Sequence, residues 1–125
     1  MKLKNPAYYI KIFILVVLII SFFTLLDFLV HNLSNSFAVP EYYFRNKIIV
    51  GIIYGFIISL FTAKMKPLKR AITFSAIIAV LLQVRYYFEG YAKWFVFLFL
   101  GLHFLMLFLS SWIAFKISEK YKLVK

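Results

Sequence analysis

Residues 12–26 read IFILVVLIISFFTLL, an apolar run that holds no charged residue and extends to about Val30. Three further apolar segments follow at 48–63, 71–88 and 94–115. A helix needs roughly 17–25 residues to cross about 30 Å of hydrocarbon, and the second segment reaches that length only by including residues 45–47. We therefore predict an all-α membrane protein. Its four transmembrane helices, at about 8–30, 45–63, 71–88 and 94–115, should form an antiparallel bundle.

The composition excludes a soluble domain of this size. The chain has 125 residues and is 65% hydrophobic, whereas soluble domains are about 45–50% apolar. Small domains leave much of their surface exposed, so lipid must cover the apolar excess. We expect a single domain over residues 1–125. The chain has no cysteine, which excludes disulfides and thiolate metal sites. We expect no cofactor.

Lysine and arginine are distributed unevenly between the two sides that four spans would create. Eleven lie on the side of the termini and the second loop, and four lie on the other. The first group is Lys2, Lys4, Lys11, Lys64, Lys66, Lys69, Arg70, Lys116, Lys120, Lys122 and Lys125, and the second is Arg45, Lys47, Arg85 and Lys93. Basic loops stay in the cytoplasm, so both termini should be cytoplasmic in a prokaryotic cell membrane. The basic rim should attract anionic lipid head groups, and we expect no nucleic-acid partner.

Small residues recur every fourth position on the second helix and on the third. Residues one turn apart lie on one ridge, and small side chains let helices approach closely in lipid. The ridges comprise Gly51, Gly55, Ser59 and Ala63 on the second helix, and Ala71, Ser75 and Ala79 on the third. Because a short turn at Pro67 joins these helices, we predict that they form a close-packed hairpin. A homodimer through Gly51 and Gly55 is the competing interpretation.

Polar residues gather near the predicted outer ends of the helices. This outer cluster comprises Asp27, His31, Arg45, Gln83, Arg85 and Glu89, with Lys47 nearby. Acids within a membrane are usually paired, so Asp27 should form an ion pair with Arg85, Arg45 or Lys47. The four-residue spacing of Asp27 and His31 offers two metal donors on one helix face. Zinc usually needs three or four donors, and Glu89 was the only further candidate, so we expect no metal site.

His103 is predicted to lie much deeper than this cluster. It follows Trp94 by about nine residues, or about 14 Å at 1.5 Å per residue, which is close to the bilayer centre. Asp27 should lie only about 5 Å below the outer boundary by the same count. The two side chains should therefore not share a coordination shell. A hydrogen bond from His103 to Ser21 or Ser59 is the simplest expectation, and a proton relay is the alternative.

No catalytic motif is present, since the chain has neither a Gly-rich phosphate loop, nor a nucleophile elbow, nor a metalloprotease helix. We expect a small multi-pass, non-enzymatic membrane protein that acts through helix contacts with a partner or with itself. A small oligomeric transporter or channel is the second hypothesis. A lipid-processing enzyme that uses Asp27, His31 and Glu89 at the outer interface is the third.

Overall fold

The computed structural model describes residues 3–124 as an all-helical chain with no strand in that range. The helices are α1 (Pro6–His31), α2 (Tyr42–Phe61), α3 (Pro67–Phe88) and α4 (Lys93–Lys120), with a short 3-10 helix at Asn35–Phe37. All four α-helices are long and apolar enough to span a membrane. The prediction of an all-helical chain with four potential spans is thus confirmed, whereas the orientation of the bundle and the side on which the termini lie stay predictions. Lys2 and Lys125, counted above as basic, lie outside the described residues.

Local sequence signals explain where the helices begin and turn. Pro6 and Pro67 occupy first-turn positions of α1 and α3, where a missing N–H costs nothing. The Asn5 side chain accepts a hydrogen bond from the Ala7 N–H at 3.0 Å, which caps α1. Gly90 has a φ of 83°, a conformation that glycine adopts without strain, and this permits the tight turn between α3 and α4.

The buried faces of the helices follow every fourth residue, which is the spacing of one ridge. On α4 the buried series is Phe95, Phe99, His103, Leu107, Ser111 and Phe115, and on α2 it is Tyr43, Lys47, Gly51, Gly55 and Ser59. The most extensive packing is between α3 and α4, followed by α1 against α2 and then α1 against α4. These buried faces form the core of the bundle, and the apolar side chains on the other faces point outward.

The predicted packing of the α2 ridge against the small residues of α3 was wrong, because the nearest side chains to its two glycines are those of Ile20 and Val16 on α1. A Cβ atom added at Gly51 would lie 2.9 Å from Cγ2 of Ile20, and one at Gly55 would lie 2.9 Å from Cγ1 of Val16. The ring of Phe74 on α3 lies 3.2 Å from the Gly55 position, so α3 shares that part of the ridge with α1. A short turn holds two helix ends together, but it does not decide which faces meet along their length.

The small ridge of α3 instead faces α4, its most extensive neighbour. Ala71, Ser75 and Ala79 are all buried. The hydroxyl of Ser75 lies 3.3 Å from the hydroxyl of Ser111 on α4. Each small-residue ridge was therefore recognised as a packing surface, but its partner helix was misassigned.

Arg70 closes the end of the bundle at which α2 and α3 are joined. Its Nη2 donates to the Ser59 carbonyl at 2.9 Å and its Nε donates to the Thr62 hydroxyl at 3.3 Å. The guanidinium also lies 4.2 Å from the centre of the Phe115 ring. These contacts link α2, α3 and α4, and so a residue counted as a topology signal is also a structural one.

A candidate buried cation site

Six polar side chains from all four helices converge at the other end of the bundle. They are Asp27 and His31 from α1, Lys47 from α2, Gln83 and Tyr86 from α3, and His103 from α4, and each is at most 5% exposed. The four-residue spacing of Asp27 and His31 points both side chains to one face. Lys47 lies one turn before Gly51 on the buried ridge of α2. We call these six residues the polar core.

Lys47 lies at the centre of the polar core. Its Nζ donates to Oδ2 of Asp27 in a buried ion pair. The same nitrogen lies 3.4 Å from Nε2 of His31 and 3.5 Å from Nε2 of His103. A charge removed from water is tolerated only where such partners replace its hydration. The lysine cation thus lies beside one carboxylate and two imidazoles.

The contacts of His103 define one neutral tautomer. Its Nε2 lies 2.8 Å from Oδ1 of Asp27, a carboxylate oxygen that can only accept, so Nε2 carries the proton and donates it. Its Nδ1 then accepts from the Gln83 amide nitrogen, 2.5 Å away. Oε1 of Gln83 is buried and has no hydrogen-bond partner among residues 3–124. An amide with one unpaired buried atom is unusual in a packed interior.

His31 is oriented by a carbonyl in the connection that follows α1. Its Nδ1 lies 2.5 Å from the Phe37 carbonyl oxygen, which can only accept, so this nitrogen is the donor. In the neutral ring, Nε2 therefore presents a lone pair towards Lys47 and towards the Tyr86 hydroxyl, which lies 3.4 Å away. The ring also stacks on Phe99 with a centroid separation of 4.2 Å.

Aromatic rings separate the polar core from the nearby end of the bundle. Tyr43 stacks on Tyr86 at 5.7 Å, and Tyr91 stacks on Phe95 at 4.8 Å. The rings that form this aromatic cover are Tyr43, Tyr86, Tyr91, Phe95 and Phe99. The Lys47 ammonium also lies 5.1 Å from the Tyr86 ring centre, a favourable cation–π arrangement. The cover contributes to the burial of the polar core, and burial strengthens the charge interactions beneath it.

A groove between α2 and α3 gives lateral access to the polar core. Its volume is about 260 Å³. The lining residues are Tyr43, Asn46, Lys47, Val50, Tyr54, Leu81, Leu82, Arg85 and Tyr86. Two of them, Lys47 and Tyr86, also belong to the polar core. The groove therefore offers space into which the flexible lysine side chain could withdraw.

Three members of the predicted outer cluster lie apart from the polar core. Arg85 pairs with Glu89, with 3.2 Å between Nε and Oε1. The Tyr43 hydroxyl also donates to Glu89, and this hydrogen bond, followed by the Arg85 charge, lowers the pKa of Glu89 below its ordinary 4.5. Arg45 is exposed. Of the three partners proposed for Asp27, the structure pairs it with Lys47.

The predicted separation of Asp27 and His103 was wrong, since the two side chains touch. The prediction assumed that the outer ends of all the helices lie at the same depth in the membrane. Asp27 is four residues from the end of α1, whereas His103 is ten residues from the start of α4. At 1.5 Å per residue, α4 extends about 9 Å beyond α1. Ser21, one of the partners proposed for His103, is exposed, and Ser59 Oγ has no hydrogen-bond partner within residues 3–124.

Sequence reasoning underrated Lys47 and missed Tyr86 as a neighbour of the polar core. The signal for Lys47 was available, because this residue lies four before Gly51 on the ridge already identified as buried. Tyr86 lies three residues after Gln83, on the same face of α3. The role of the Phe37 carbonyl had no signal, since it depends on the path of the connection between α1 and α2.

Three donors in the polar core have the arrangement of a metal-binding group. Asp27, His31 and His103 each offer one ligand atom, all within 4.8 Å of one another and all buried. The third donor is thus His103 and not Glu89, which sequence reasoning had considered. The chain matches no protein-family model, and no curated protein or solved structure shows significant similarity to it. What the molecule does must therefore be argued from this site in a small protein with four potential membrane spans.

Proposed function

We propose that this small multi-pass membrane protein is a non-enzymatic carrier that binds a small cation in the polar core. One observation supports this function: the Lys47 ammonium lies within 3.5 Å of Asp27, His31 and His103. These groups form a binding site that holds a cation tethered to the chain itself. When Lys47 withdraws into the groove between α2 and α3, a free cation takes its place and Asp27 stays compensated. Exchange of this kind keeps the Asp27 carboxylate paired with a cation throughout.

The carrier acts as a homo-oligomer, because four helices rarely enclose a pathway. A homo-oligomeric carrier combines the hypothesis of a protein that acts through helix contacts with the hypothesis of a transporter. We further propose that both termini are cytoplasmic in a prokaryotic cell membrane and that the basic rim binds anionic lipids. The lipid-processing hypothesis loses its geometric basis, since Glu89 pairs with Arg85 outside the aromatic cover.

Cation flux into liposomes tests the proposed function. Purified protein is reconstituted, and entry of Na⁺, K⁺, Mn²⁺, Co²⁺ and Zn²⁺ is followed with encapsulated fluorescent indicators. We expect flux of at least one cation above protein-free liposomes. Asp27→Asn should abolish this flux, whereas Arg45→Gln, which removes an exposed cation from the same end of α2, should preserve it. Flux equal to that of empty liposomes for all five cations would overturn the proposal.

A further inference from the structure

We infer that Asp27, His31 and His103 form a binding site for a divalent transition-metal ion such as Zn²⁺, and that Lys47 occupies this site in the metal's absence. The inference names the cation class and rests on the proposed cation site. Two imidazoles and one carboxylate suit zinc and neighbouring metals, since both ligand types bind such ions well. The chain has only two histidines, and both contribute to this one site.

The separations of the donor atoms fit a small ion. Donors about 2.0–2.1 Å from a tetrahedral zinc lie roughly 3.3–3.4 Å from one another. Oδ1 of Asp27 lies 3.4 Å from Nε2 of His31 and 2.8 Å from Nε2 of His103. All three donor atoms lie within 4.8 Å of one another, so side-chain movements are needed to bring them to the spacing of a zinc site. A water or the Tyr86 hydroxyl, 3.4 Å from Nε2 of His31, can supply the fourth ligand.

The hydrogen bonds behind the two imidazoles provide a second, independent argument. Metal-binding histidines usually donate the other ring N–H to a carbonyl or carboxylate. Nδ1 of His31 already donates to the Phe37 carbonyl. Nδ1 of His103 faces the amide of Gln83, whose Oε1 has no partner in the described part of the chain. Rotation of that amide would let Oε1 accept a hydrogen bond from Nδ1–H in the other neutral tautomer of His103, in which the ring proton has moved from Nε2 to Nδ1 and Nε2 is free for the metal.

Lys47 limits access to the site, because its ammonium pairs with Oδ2 of Asp27 and lies beside both imidazoles. Metal entry requires this side chain to move, and the groove of about 260 Å³ beside it provides the space. Removal of the lysine charge leaves Asp27 without its ion-pair partner. A Lys47→Met variant should thus bind metal more tightly than the wild type, a gain that misfolding cannot produce.

Cobalt binding to the full-length protein in detergent tests the inference. The protein carries no polyhistidine tag, and Co²⁺ binding is followed by visible absorption, with Zn²⁺ as competitor. We expect wild-type binding and at least about tenfold tighter binding by Lys47→Met, a change of about 1.4 kcal/mol. Asp27→Asn and His103→Gln should lose binding. Gln83→Leu should weaken it by about 10–100-fold through loss of imidazole orientation. Arg45→Met is the matched control and should leave affinity unchanged.

Two outcomes would overturn the metal site. One is the absence of cobalt absorption with both the wild type and Lys47→Met. The other is binding that persists unchanged in a folded His31→Gln/His103→Gln double variant, which would place the ion elsewhere. The cobalt-binding test and the flux test can fail independently of each other. Metal binding without flux would contradict the proposed carrier function and support the metal site. Flux of Na⁺ or K⁺ without metal binding would support the carrier function and contradict the metal site.

Discussion

Lys47 is a residue whose charge would ordinarily exclude it from the interior of a helix bundle. Its ammonium is stable there because Asp27 neutralises it and because two imidazoles and an aromatic ring surround it. Desolvation of two charges is costly, and their attraction offsets this cost only while both are present. The ion pair should therefore behave as one unit in mutational tests.

The summed loss of stability in the single variants of Lys47 and Asp27 should exceed the loss in the double variant. Lys47→Met alone leaves an uncompensated buried carboxylate, and loss of one partner in a buried pair costs about 3–5 kcal/mol. The double variant Asp27→Asn/Lys47→Met should be more stable than the sum of the single effects predicts. Equilibrium unfolding in detergent provides the free energies. Asp27→Asn with Arg85→Gln is the control cycle and should be additive, since those residues do not pair. Additivity in the Lys47 cycle would contradict the structure.

Part of the polar core could be predicted from the sequence and part could not. The pairing of Asp27 with a nearby basic residue followed from the cost of an isolated charge in a membrane. The contact between Asp27 and His103 did not follow, because it depends on the stagger of α1 against α4. Periodicity assigns a face to a residue, but it does not determine the relative axial position of two helices.

Glu89 should make stability depend on pH in the acidic range. The Tyr43 hydroxyl and Arg85 lower its folded-state pKa below the ordinary 4.5. Its contribution is therefore present above that ordinary value and is lost as the pH falls through the lower folded-state pKa. Melting temperatures measured from pH 6 to pH 3 should decline less steeply in Glu89→Gln than in the wild type. Tyr43→Phe should also reduce the decline, and equal slopes in all three proteins would disprove the interaction.

At the level of elements, the backbone of α2 lies close to α1 because two glycines lack side chains at the contact. Cγ2 of Ile20 and Cγ1 of Val16 are attached to β-branched carbons and have little freedom to move aside. Packing drives helix association in lipid, where the hydrophobic effect is absent. This contact should consequently be sensitive to added volume.

Gly55→Leu should destabilise the bundle, whereas Gly101→Leu should not. The first change forces a side chain into Val16 and Phe74, and overpacking costs about 1–3 kcal/mol. Gly101 also lies within a helix, but a Cβ there would meet nothing within 4 Å. Its replacement should leave stability unchanged or raise it, since glycine costs about 0.5–1 kcal/mol in a helix interior. Thermal melts in detergent compare the two variants. Equal melting temperatures for wild type and Gly55→Leu would contradict the α1–α2 contact.

The existence and approximate limits of the helices could be predicted because each is a long apolar run. The choice of neighbours could not, since all the helices carry small or apolar ridges that fit several partners. The structure pairs α3 with α4 and α1 with α2. The sequence suggested α2 with α3, because only the length of their connection distinguished that pair.

At the level of the whole molecule, the contacts place alternate helix ends together. Asp27 near the end of α1 meets Lys47 near the start of α2, and Gln83 near the end of α3 meets His103 in the first half of α4. Arg70 at the start of α3 meets Ser59 near the end of α2. These contacts are the ones expected of the antiparallel bundle that the sequence predicts. If all four cross the bilayer, both termini lie on one side of it.

The basic residues predict which side that is. Lys64 and Lys66 lie in the connection from α2 to α3, and Lys69 lies in the first turn of α3. Short basic loops remain in the cytoplasm. A fluorescent protein that matures only in the cytoplasm should thus be active at the C-terminus of the chain expressed in a bacterium. Alkaline phosphatase, which is active only outside, should be inactive there and active when inserted at Gly90, an exposed turn residue. The reverse pattern would place the polar core in the inner half of the membrane. Matching activity at both positions would contradict four spans. The expected pattern puts Lys47 and the α2–α3 groove beside it in the outer half of the membrane.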